Sequence, residues 1–89
     1  MPLQILNSPS DSEDLVSSLK TAISEALPGA SVEVSANSPG HYEIRVVSAA
    51  FEGESRVRQQ QLVYGAIAHL MKGDAAPIHA IDRLQTDIP

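Results

Sequence analysis

Three histidines, His41, His69 and His79, are the side chains of this sequence best equipped to bind a metal, because cysteine is absent. Without cysteine the chain has no disulfide, no thiolate metal site of its own and no thiol nucleophile. Other routes to chemistry are thin. There is no Gly-x-Ser-x-Gly elbow, no His-Glu-x-x-His helix, no glycine-rich phosphate loop and no dinucleotide fingerprint. The acidic residues fall mainly at helix starts and strand exteriors. No catalytic role has a basis here, and a non-enzymatic protein is expected.

The elements that must position the histidines can be read from periodicity. Residues 1–9 carry two prolines and no repeat pattern and read as a loose lead-in, followed by a single domain over 10–89. Ser10-Asp11-Ser12-Glu13 has the form of a capping box. Leu15, Val16, Leu19, Ala22, Ile23, Ala26 and Leu27 then recur at helical spacing, and Pro28-Gly29 stops the helix. Ala30, Val32 and Val34 alternate with polar residues, as do Tyr42, Ile44 and Val46. The five residues Ala36 to Gly40 between these runs are turn formers, so an antiparallel hairpin is expected. A helical turn is expected near Ala49–Phe51. Ser55 reads as the N-cap of a second helix with an inner face of Val57, Val63, Ala66, Ile67, Leu70 and Met71, closed by Gly73. A last strand runs from Ile78 to about Thr86. Its pattern is spoiled where Asp82 and Arg83 stand together.

This order is α-β-β-α-β. The link between the last two strands holds a helix, so those strands should be parallel neighbours in a three-stranded mixed sheet with helices on one face. His41 and His79 would then both stand at strand starts on one edge of the sheet. No other pair of candidate ligands is brought together by this order. His69 falls near the end of the second helix, where the helix dipole favours its charged form, and it reads as structural. From the residues alone, His79 reads first as a strand-end histidine hydrogen-bonded to a neighbour, with no ligand role.

Composition narrows the partners. Eleven acidic against six basic side chains give a net charge of −5, which lowers the prior for nucleic acid and suits a basic partner surface. No apolar run approaches the ~18 residues of a membrane span. A soluble cytoplasmic protein is expected, as a monomer or homodimer.

The succession from Gly40-His41-Tyr42 through Phe51-Glu52-Gly53-Glu54-Ser55 and Gln59-Gln60-Gln61 to Ile78-His79-Ala80 resembles the BolA family. The run Arg58-Gln59-Gln60-Gln61-Leu62-Val63-Tyr64-Gly65 is most similar to its IbaG (YrbA) branch. The resemblance spans roughly residues 12 to 81. It implies an α+β fold of the class II KH-like kind. It also implies that His79 ligates iron in a [2Fe-2S] cluster shared with a monothiol glutaredoxin and its glutathione, the chain being apo when alone. The second family ligand comes from the hairpin loop, and residues 36–40 contain neither His nor Cys. His41 is the nearest imidazole and stands as the candidate. Phe51, Gly53 and Ser55 match a family signature and read as structural: a core aromatic, a turn glycine and a helix cap. The rival function is a KH-like nucleic-acid-binding transcriptional regulator, with Arg45, Arg56 and Arg58 as the DNA-facing side chains. Glu52 and Glu54 beside the would-be phosphate cradle count against it.

Overall fold

The computed structural model describes residues 8–71 and 78–89, with side chains from Asp14 on. Helix α1 (Ser8–Ala26) leads into β1 (Ser31–Ser38) and β2 (His41–Val47). A 3-10 turn (Ala49–Phe51), helix α2 (Arg56–Ile67), a second 3-10 turn (Ala68–Leu70) and β3 (Ala80–Asp87) follow. The sheet order is β1-β2-β3, with β2 antiparallel to β1 and parallel to β3. This is a mixed α+β fold whose three-stranded mixed sheet carries two helices.

Alternation in β2 decides which face is covered. Tyr42, Ile44 and Val46 are buried while Glu43 and Arg45 are exposed, as expected when one side of a strand meets the core. Leu19, Ile23 and Leu27 from the α1 segment, Phe51 from the turn, Val63 and Ile67 from α2, and Ile78 just ahead of β3 complete that core. The opposite sheet face is left to Glu33, Glu43, Arg45 and Arg83.

Four expectations need correction. Helix α1, described from Ser8, already includes Pro9 and the supposed capping box at Ser10, so the box does not start the helix. The five-residue hairpin loop is instead a tight Pro39-Gly40 turn, because β1 continues to Ser38 past an irregularity between Ala36 and Ser38. Val57 lies outside the core at 64% exposure, and Gln59 takes the inner position of that turn at 8%. Gln59, Val63 and Ile67 are spaced by four and share one helix face, whereas Val57 is rotated away from it. Finally, β3 starts at Ala80 rather than Ile78; it runs through Asp82 and Arg83 to Asp87 as expected, absorbing the broken pattern as a register shift opposite Tyr42 and Glu43. Gly73 lies outside the described residues.

Candidate functional site: the histidine edge of the sheet

The parallel pairing of β2 and β3 sets the two strand starts side by side. His41 pairs with Ala80, and the amides of His79 and Ala80 both donate to the Gly40 carbonyl, at 2.8 and 3.0 Å. His79 itself lies just ahead of β3 and is exposed. Its neighbour Ile78 is 2% exposed, so the histidine follows directly on an apolar anchor. The imidazole rests against the backbone of Gly40. A Cβ at that position would come within 2.2 Å of the ring's Cδ2 carbon, and Gly40 has φ +79°. Glycine is therefore required twice over, by the turn and by the ring.

His41 is held differently. Its Nδ1–H donates to Asp82 Oδ1 at 3.0 Å, with the two side chains 42% and 39% exposed. A carboxylate can only accept, so the proton on a neutral ring sits on Nδ1 and the lone pair is left on Nε2. Asn37 Nδ2 donates to the other oxygen of Asp82 at 3.1 Å and to Glu43 Oε2 at 3.3 Å. The hydrogen bond from His41, and then that from Asn37, hold the Asp82 carboxyl below the ordinary aspartate range.

Among the described residues, no group of three or more His, Asp or Glu side chains gathers closely enough to hold a metal ion. Two imidazoles at one edge, one exposed and the other with a defined nitrogen lone pair, fit a group that a second molecule also ligates. Among the described residues they gain no third ligand that would close a metal site. His69 stands elsewhere, in the 3-10 turn after α2, where it lines a cleft between the helices with Ser17, Thr21 and Glu25.

The signature residues hold the turn before α2. Phe51 is fully buried, Gly53 has φ +80°, and Ser55 Oγ accepts from the Arg58 amide at 3.1 Å. Gln59 knits this turn to the sheet. Its Nε2 donates to the carbonyls of Phe51 and Glu54, at 3.3 and 3.0 Å, and its Oε1 accepts from Thr86 Oγ1 at 2.7 Å. Arg56 donates to the Thr86 carbonyl and to Thr86 Oγ1. Arg45 faces Glu33 at 3.8 Å and Asp87 at 3.6 Å on the open sheet face. Two of the three arginines named as a DNA-facing set thus have partners within the chain, while Arg58 is exposed on the first turn of α2.

Reading the sequence for ligands alone misses Asn37, Asp82, Gln59 and Thr86. For Asp82 a signal existed: the adjacent Asp82-Arg83 pair that interrupts the alternation of β3. For Gln59 the signal is its spacing of four from Val63, at a polar position that hydrophobic periodicity does not count.

Fold and edge together define a small α+β domain that presents imidazoles beside a tight glycine turn. The sequence family described as BolA-like protein matches residues 19–87, and this chain belongs to it. Among solved structures, BolA1 from Arabidopsis thaliana superposes with a TM-score of 0.69 at 21% identity, covering 83% of this chain and 90% of that one. A bolA protein homologue from Coxiella burnetii gives 0.61 at 31% identity, covering 80% and 86%. A bol-like protein from Babesia bovis gives 0.68 at 24% identity, covering 99% and 91%. No curated protein matches the chain significantly.

Proposed function

We propose that this protein is a non-enzymatic BolA-like adaptor that lends histidine to a [2Fe-2S] cluster shared with a monothiol glutaredoxin, in iron–sulfur trafficking or iron-linked regulation. The observation that carries the reading is the exposed His79 ring, seated on Gly40 at the edge where β2 and β3 both begin. His79 is the first ligand in this reading and His41, through Nε2, the second. The chain has no cysteine, so the thiolates must come from the partner and from glutathione. When bound, a cluster with imidazole in place of thiolate gains a higher potential and a ligand that protonation can release.

What this chain's own residues do is orient and cover. Gly40 leaves room for the His79 ring, and the two amide bonds to its carbonyl fix where β3 starts. The acidic balance favours approach to a basic partner face. We place the protein in the IbaG-like branch on its Arg58 to Gly65 run, and in the reducing cytoplasm, where such clusters are exchanged. Among the described residues no helix is long and apolar enough to cross a membrane.

The test is reconstitution of a monothiol glutaredoxin with glutathione, iron and sulfide, with and without this protein. Its addition should change the visible absorption and circular dichroism of the cluster. Identical spectra in both mixtures would reject the adaptor reading.

A further inference from the structure

Two irregularities flank the start of the central strand, one on each neighbour. On β1 the register passes from Ala36 opposite Tyr42 to Ser38 opposite His41, so Asn37 is the extra residue. On β3 it passes from Ile81 opposite Tyr42 to Arg83 opposite Glu43, so Asp82 is the extra residue. A bulge re-aims the side chain it adds, and bulges recur beside functional sites for that reason. Here both act at one level of the sheet, beside His41.

The side chains so released meet. Asp82 uses one carboxylate oxygen for His41 Nδ1 at 3.0 Å and the other for Asn37 Nδ2 at 3.1 Å. Asn37 in turn also reaches Glu43 at 3.3 Å. A carboxylate gripped at both oxygens cannot swing freely, and neither can the imidazole it holds. From this double bulge we infer that Asp82 is a positioning residue: with Asn37 as its brace, it fixes His41 as the Nδ1–H tautomer and presents Nε2 as the nitrogen open to iron. Histidines that ligate metals are commonly oriented by a carboxylate on the other ring nitrogen, and loss of that partner typically costs about 10–100-fold in affinity. The inference rests on the adaptor reading for the metal and on hydrogen bonding alone for the tautomer. It also answers how a hairpin without His or Cys at 36–40 can still serve a ligand: the bulged loop holds the brace, and the ligand stands one residue beyond it.

The tautomer is tested first, in the protein alone. Long-range proton–nitrogen correlation on nitrogen-15-labelled protein, at a pH where the ring is neutral, should show a pyrrole-type Nδ1 and a pyridine-type Nε2 for His41. In Asp82→Ala that assignment should shift toward the Nε2–H form, and in Asn37→Ala it should move partway. An Nε2–H ring in the unaltered protein, or a distribution untouched by Asp82→Ala, overturns the inference. In the reconstituted complex, Asp82→Ala should speed cluster loss to a chelator roughly tenfold or more. Adding it to His41→Ala should change nothing further, because Asp82 acts only through that ring. An additive effect in the double variant would contradict the positioning role. Failure of His79→Ala to alter the cluster spectrum strikes the adaptor reading instead, so the two failures are told apart.

Discussion

Gly40 shows how much one residue can settle. Its positive φ of 79° closes the hairpin, and its bare α-carbon makes the bed for the His79 ring. In Gly40→Ala the left-handed backbone alone should cost about 1–2 kcal/mol. The new methyl must also push the imidazole aside. Urea denaturation should show the lost stability, and the His79 ring resonances should shift with it. Full stability with unmoved resonances would contradict the placement. Asp82 makes a second test, through pH. Its folded-state pKa is depressed, so its stabilising contribution is complete above the unfolded value of about 3.9 and is lost as pH falls through the lower folded value. Its carboxyl titration, followed by carbon NMR, should have a midpoint below about 3.9 that rises in His41→Ala. An unmoved midpoint would mean that the pair does not form in solution. The histidines could be placed from their strand positions in the sequence. Their hydrogen-bond partners could not, because a bulge leaves only a break in alternation.

Helix α2 carries the lesson about elements. Hydrophobicity nominated Val57 for its inner face, yet the core takes Gln59 there and leaves Val57 in solvent. The amide repays its burial by serving two carbonyls in the turn before the helix and the hydroxyl of Thr86, which is fully buried in β3. Removing one member of such a network strands the others, at about 1–3 kcal/mol for each buried group left unpaired. Gln59→Ala should therefore destabilise by at least that much in urea denaturation. Val57→Ala should stay within about 0.5 kcal/mol of the unaltered protein. Equal losses in the two variants would overturn the assignment of faces. Strand alternation, the Ser55 cap and the 3-10 turn at Ala49–Phe51 were all legible, since each is a local pattern. The burial of Gln59 was harder to read, because hydrophobic periodicity passes over a polar residue and Thr86, the partner that ties it to the sheet, lies 27 residues away.

The molecule as a whole is a sheet with helices on one face and two histidines at the edge where β2 and β3 start. Parallel pairing followed from the length of the crossover, so the meeting of the two strand starts could be foreseen from element order. In the proposed adaptor, whatever a cluster needs beyond imidazole comes from a second protein, because this chain has no cysteine to offer. The proposed sharing of a cluster is therefore best measured in the mixture and at His79, the more exposed of the two histidines. The decisive comparison is the visible circular dichroism of the glutaredoxin cluster with this protein and with His79→Ala, at equal concentration and after confirming that the variant is folded. We expect the unaltered protein to change the spectrum and the variant to leave that of glutaredoxin alone; the same change with both proteins would contradict a role for His79 in holding iron.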